Sequence, residues 1–248
     1  MKFIKKYSAI VKESKNTFSN IDILKFPIHN IIFRNLSFLI TPIFIILGIS
    51  ANQATYIRIL IGLCSIILIF SGKIFIGIII FFLGDIVDCV DGNISRIKNS
   101  ATFYGKFLDG WVDIVIENLL ILALINYYLS TTSLINIEII FFVITIIINL
   151  SFNFLLDRYH NFRRWINESA ININFLPVLN LKNLIIANIL NDLRYLSLLL
   201  IIYDSSLKYF IFLYLLVSIL YSAHKTILVL NISKKMFNIN RKSEHERK

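Results

Sequence analysis

The chain has 248 residues, of which 57% are hydrophobic and only 16% charged, and its mean hydropathy is +0.74. Soluble domains are about 45–50% apolar and about 25% charged, so this composition excludes one and places the chain in a bilayer. The net charge of +10 collects at the two termini and between apolar stretches. That pattern points to anionic lipid on the cytoplasmic leaflet and away from nucleic acid.

In chain order, the first 35 residues are mostly polar or basic, with Lys2, Lys5, Lys6, Lys12 and Lys15, and lack the short apolar core of a signal peptide. The segment from Phe26 to Arg34, continued by the apolar run Leu36–Ile49 that Thr41 and Pro42 interrupt, predicts an interfacial amphipathic helix lying on the membrane. A seventh crossing is the alternative for that run. Six stretches then have the roughly 20 mostly apolar residues that a crossing needs: 53–71, 74–96, 104–128, 134–156, 182–203 and 207–231. Cys64 and Cys89 fall inside apolar runs and read as small buried hydrophobes.

Lys and Arg decide the orientation. Arg96, Lys98 and Lys106 follow the second stretch, Arg158, Arg163 and Arg164 the fourth, and Lys234, Lys235, Arg241, Lys242, Arg247 and Lys248 close the chain. The alternate connections, around Gly72, Thr131 and Ser205, are short and poor in positive charge. The expected fold is an all-α membrane protein with about six transmembrane helices and both termini in the cytoplasm. It divides into an N-terminal cytoplasmic and interfacial segment (1–50), a membrane core (51–232) and a basic tail (233–248).

The second stretch ends with Asp85, Asp88, Asp91, Gly92 and Arg96, and the third begins with Gly105, Asp109 and Asp113. An aspartate near a helix centre costs roughly 2.5–3.5 kcal/mol on insertion scales, so several in adjacent helices require a compensating partner. Cations nearby in sequence are too few to be that partner. Asp88 and Asp91 are three apart and Asp109 and Asp113 four apart, so each pair lines one helix face. A short link should make the two helices antiparallel neighbours and bring all four carboxylates into one layer. Four hard oxygen donors suit Mg²⁺ or Mn²⁺ rather than zinc. Gly92 and Gly105 remove side chains where a phosphate or a partner helix would approach, and Arg96 is placed to grip a phosphate oxygen.

The run Asp88-x2-Asp91-Gly92-x2-Ser95-Arg96-x8-Gly105-x3-Asp109-x3-Asp113 resembles the signature of the CDP-alcohol phosphotransferase family, departing only at Ser95, where the family usually has Ala. Ala51-Asn52-Gln53-Ala54-Thr55 is similar to the Pro-Asn-x-x-Thr that opens the first helix of many members, with Ala51 in place of Pro. The resemblance implies that Asp88, Asp91 and Asp109 coordinate a pair of divalent metals, with Asp113 beside the second metal as general base. It further implies that Gly92 and Arg96 hold the cytidine diphosphate, that Gly105 allows close packing there, and that the protein is a homodimer. The implied reaction moves a phosphoalcohol, with CDP-diacylglycerol the expected donor, to an acceptor hydroxyl and releases CMP.

Asn52 and Thr55 are candidates for nucleotide contact or for capping their helix. Asp85, outside the signature, either extends the metal site or sits in the same polar cleft. Arg194, in a stretch similar to the Arg-Asp-x-Arg of members with phosphorylated polyol acceptors, is with Arg158 a candidate for binding the acceptor's phosphate or carboxylate. Glycerol phosphate or inositol phosphate is the acceptor class this favours; the alternative for Arg194 is a structural contact with Asp192. Two rival functions use the same aspartates, an ion-coupled transporter or channel and a catalytically idle scaffold. Neither accounts for Gly92, Arg96 and Gly105 at these spacings together with an intact set of four aspartates.

Overall fold

The structure is a computed structural model that describes residues 2–16, 30–131, 136–168, 181–203 and 208–245. Every regular element among the described residues is a helix: α1 (Lys2–Asn16), a π-helical turn (Asn30–Arg34) running into α2 (Asn35–Ile46), α3 (Ala51–Phe70), α4 (Ile74–Ile97), α5 (Phe103–Thr131), α6 (Asn136–Glu168), α7 (Leu181–Tyr203) and α8 (Lys208–His245). Among the described residues, three segments are long and apolar enough to cross a membrane: α3, Ile137–Tyr159 of α6 and Lys208–Lys234 of α8. α4 has 24 residues, about 36 Å at 1.5 Å per residue, but Asp85, Asp88 and Asp91 crowd its second half. α8 does not stop where the basic tail was expected to begin; it continues through Ser233 to His245.

The N-terminal region holds more structure than its polarity predicts. α1 is a helix of its own, tied to α2 where the Tyr7 hydroxyl donates to the Leu39 carbonyl at 2.7 Å. α2 is amphipathic in an inverted sense. Ser37, Phe38, Thr41 and Pro42 are buried against the bundle, while Leu36, Leu39, Ile43 and Leu47 are exposed. Phe26 to His29, the start of the expected interfacial helix, lie outside the described residues.

α3 is the element around which the site is built. A capping box starts it: Ser50 Oγ accepts the Gln53 N–H at 3.3 Å, and Gln53 Oε1 accepts the Ser50 N–H at 2.8 Å. Ser71 and Gly72, the latter at φ +81°, turn the chain back into α4. α3 and α4 approach closely because Gly77 has no side chain; a Cβ there would sit 2.5 Å from Ile69 Cγ1, and Ser65 Oγ donates to the Gly77 carbonyl at 2.8 Å. Gly62, on another side of α3, receives Ile116 of α5, with 2.7 Å left for a Cβ. α3 therefore packs along both α4 and α5, whereas α4 and α5 make little backbone contact with each other. The expectation that the short link makes the two aspartate helices close neighbours holds for their side chains at the link end, while their backbones pack mainly on α3.

α6, α7 and α8 form the other half, with α8 packed along both α6 and α7. Stacked Phe141 and Phe212, with ring centroids 4.4 Å apart, join α6 to α8. Phe82 of α4 and Tyr195 of α7 meet Phe33, just ahead of α2, and the three rings close the seam between the halves.

Candidate metal and nucleotide site

The link from α4 to α5 is short and sharply defined. Asn99 adopts φ 48°, a left-handed conformation that asparagine tolerates and that ends helices, and the Ser100 N–H returns to the Ser95 carbonyl at 3.0 Å. Thr102 Oγ1 then accepts the Gly105 N–H at 2.9 Å and opens α5. The last turns of α4 and the first turns of α5 are thereby held at one end of the bundle, on either side of α3.

Carboxylate oxygens of Asp88, Asp91 and Asp109 lie within 4.8 Å of one another. Asp91 is buried and receives the Thr55 hydroxyl at 2.7 Å. Asp113 does not join the three; it is held separately as an ion pair with Arg58 Nη2. The expected four-carboxylate layer is thus three plus one.

The partner between them is Arg58, which the sequence reading passed over in supposing too few cations nearby. It projects from α3, is only 6% exposed, and sets Nη1 at 2.7 Å from Asp88 Oδ1 and 3.7 Å from Asp109 Oδ1. One guanidinium pairs with three carboxylates, and Asp91 stands beside them. Asp88 Oδ1 and Asp109 Oδ1 remain buried without a hydrogen-bond partner among the described residues. Both meet Arg58 as ion pairs without a well-directed hydrogen bond, and a cluster of oxygen donors with excess negative charge is what a divalent ion takes. The residues present fit Mg²⁺ or Mn²⁺. Two signals could have found Arg58: it is the lone charge in a 20-residue apolar helix, and it follows Thr55 by three positions, on the same face.

The two signature glycines make room for polar side chains of this chain. A Cβ on Gly92 would lie 3.4 Å from Arg96 Nη2, so the guanidinium folds back over bare backbone. A Cβ on Gly105 would lie 2.8 Å from Asn52 Oδ1, which lets the start of α3 seat against the start of α5. Asn52 and Thr55 are not the caps of α3, since Ser50 and Gln53 perform that task. Both side chains face the aspartate end of the bundle instead. Asp85 is buried one turn before Asp88.

The two arginines considered for the acceptor are placed very differently. Arg158, exposed on α6, lies over the Phe154 ring at 5.3 Å. Arg194 is buried, paired with Glu117 of α5, and set against the rings of Tyr214 and Tyr221 at 5.7 and 5.0 Å. Glu117 is thus a counter-charge of Arg194 that the expected contact with Asp192 did not include. Glu117 was legible: it stands four residues beyond Asp113, which stands four beyond Asp109, so three acids share one face of α5.

The family model of CDP-alcohol phosphatidyltransferase matches residues 48–232. No curated protein matches the chain.

Proposed function

This chain belongs to the CDP-alcohol phosphatidyltransferase family, and we propose that it carries a phosphatidyl group from CDP-diacylglycerol to a hydroxyl of a small acceptor, releasing CMP, in phospholipid synthesis. In this reading α3 to α8 are six crossings of the inner membrane, with both termini and the site on the cytoplasmic side, where CDP donors are made. Residues 1–50 lie in the cytoplasm and at the interface, 51–232 are the catalytic core, and the basic end from 233 meets anionic lipid. The working unit is a homodimer.

The observation that carries the proposal is the convergence of Asp88, Asp91 and Asp109 oxygens within 4.8 Å beside an ion-paired Asp113. Asp88, Asp91 and Asp109 would hold the divalent ions, with Asp113 at the second. Bound there, the ions would offset the charge that grows on the phosphoryl oxygens. Thr55 fixes the direction of Asp91 by its hydrogen bond. Arg96, above Gly92, takes the donor diphosphate, and Asn52, against Gly105, lies where the cytidine end would rest.

Asp113 is the general base. Its side chain is half exposed while Arg58 is nearly covered, so it faces the space from which an acceptor arrives. As the acceptor oxygen bonds to the phosphorus that bears the alcohol, its proton passes to Asp113. The bond from that phosphorus to the bridging oxygen breaks, and the electron pair leaves with CMP.

Arg194 and Arg158 are the proposed cations for a phosphorylated polyol such as glycerol phosphate or inositol phosphate. Arg194 would have to exchange Glu117 for the acceptor. The test is CMP release by the purified chain from CDP-diacylglycerol with Mg²⁺ or Mn²⁺, across a panel of glycerol phosphate, inositol, inositol phosphate and serine. Metal-dependent CMP and one lipid product are expected. A chain that makes no CMP with any acceptor is a transporter or a scaffold, and the proposal fails.

A further inference from the structure

Asn93 is a variable position inside the signature, yet it is fully buried and uses every polar atom of its side chain. Its amide nitrogen donates to Ser37 Oγ and to Thr41 Oγ1 of α2, each at 3.0 Å. The direction of these bonds is fixed. Ser37 gives its own hydroxyl proton to the Arg34 carbonyl at 2.8 Å, and Thr41 gives its proton to the Ser37 carbonyl at 2.7 Å. Both hydroxyls can therefore only accept from Asn93. The amide cannot flip without setting its oxygen against two acceptors, so Oδ1 must point away from α2. There it accepts from Arg96 Nη2 at 2.9 Å.

We infer that α2 belongs to the donor site at one remove. Ser37 and Thr41, acting through Asn93, hold the Arg96 guanidinium in place for the donor diphosphate. This rests on the reading that Arg96 meets the donor. An arginine on the last turn of a helix, exposed as Arg96 is, would otherwise sweep many rotamers and lose that freedom on binding. Asn93 on one side and the bare backbone of Gly92 on the other leave it one position. The arrangement also explains the inverted polarity of α2, whose hydroxyls turn inward because their partner is inside. Asn93 is a positioning residue; it need touch neither donor nor acceptor.

Two readouts test this on the purified full chain with Mn²⁺. The first is the rate at which phenylglyoxal modifies Arg96, followed by peptide mass spectrometry without substrate. The second is the KM and kcat for CDP-diacylglycerol. Asn93→Ala should speed the modification several-fold and raise KM roughly tenfold, the worth of one hydrogen bond to a charged group, with kcat changed less than about twofold. Ser37→Ala with Thr41→Val should act in the same direction and decides the matter if Asn93→Ala does not fold. In an Arg96→Ala background, Asn93→Ala should raise KM no further.

Unchanged modification of Arg96 in both variants overturns the inference, as does a KM rise that persists without Arg96. A wild-type chain that releases no CMP removes the donor from the account. The modification rates still decide whether α2 orders Arg96.

Discussion

The two halves of the bundle each bury arginine among acids, and they do so with opposite balance. In the α3–α4–α5 half, Arg58 meets Asp88, Asp109 and Asp113, with Asp91 held by Thr55 beside them, so the carboxylates outnumber the guanidinium that pairs with them. In the α5–α7–α8 half, Arg194 meets Glu117, one charge for one, with tyrosine rings over the guanidinium. A little deeper, Asn118, Asn149 and Ser222 join three helices through bonds of 3.0 Å. A polar set whose charges balance has no need of a further ion and specifies packing. An unbalanced one keeps capacity in reserve, and that reserve is where a ligand enters. Charge in a membrane helix is thus a weaker guide to function than charge left over after pairing.

The largest expected effect lies in the unbalanced half. Asp113→Asn should lower turnover by about 10²–10⁴-fold, the span attributed to a general base, while binding of the donor is kept. CMP release and equilibrium binding of CDP-diacylglycerol measure the two separately. Equal activity in the variant removes Asp113 as base.

Arg58→Gln tests the imbalance itself. Without the guanidinium the clustered carboxylates lose the cation that pairs with three of them, and breaking a buried pair costs about 3–5 kcal/mol. The variant should melt well below wild type in EDTA, and Mn²⁺ should restore more of its melting temperature than it adds to wild type. If Mn²⁺ shifts both proteins equally, Arg58 and the metal do not share a site.

Much of this was legible, and what was not has a physical cause. The aspartates, the two glycines and Arg96 could be read because their spacing lies on consecutive helices and needs no knowledge of packing. Arg58 was passed over because the search for counter-charge ran along the sequence, while the cation comes from a helix 30 residues before Asp88. The same limit hides how α4 and α5 divide their packing. A short link guarantees nearness of two helix ends, but Gly62 and Gly77 let α3 take most of the backbone packing of both helices. Hydropathy placed the apolar cores of the long helices and said little about α1, whose order depends on contacts with α2 such as Tyr7 to Leu39.

Glu117→Gln examines the balanced half. Arg194 would lose its ion pair with Glu117 while buried, again at a cost of about 3–5 kcal/mol, and here Mn²⁺ should rescue nothing. The double variant Glu117→Leu with Arg194→Met removes both charges and should recover most of the lost stability. That double variant also separates the two roles open to Arg194. If Arg194 only packs, its KM for a phosphorylated acceptor equals that of wild type; if it binds the acceptor, stability returns but that KM rises.

The smallest effect is expected at Thr55, where the two kinds of polar contact meet. Its hydroxyl satisfies Asp91 as a structural hydrogen bond would, yet Asp91 is also one of the three clustered carboxylates. Thr55→Val keeps the shape of the side chain and removes only the donor, at a cost of about 1.5–3 kcal/mol for a bond to a charged group. If the bond serves to aim Asp91, the loss falls on metal affinity, read by Mn²⁺ titration, and the melting temperature of the metal-free protein hardly moves. If the melting temperature falls and Mn²⁺ affinity holds, Asp91 belongs with the self-satisfied polar groups, and the reserve of charge at this end of the bundle is smaller by one.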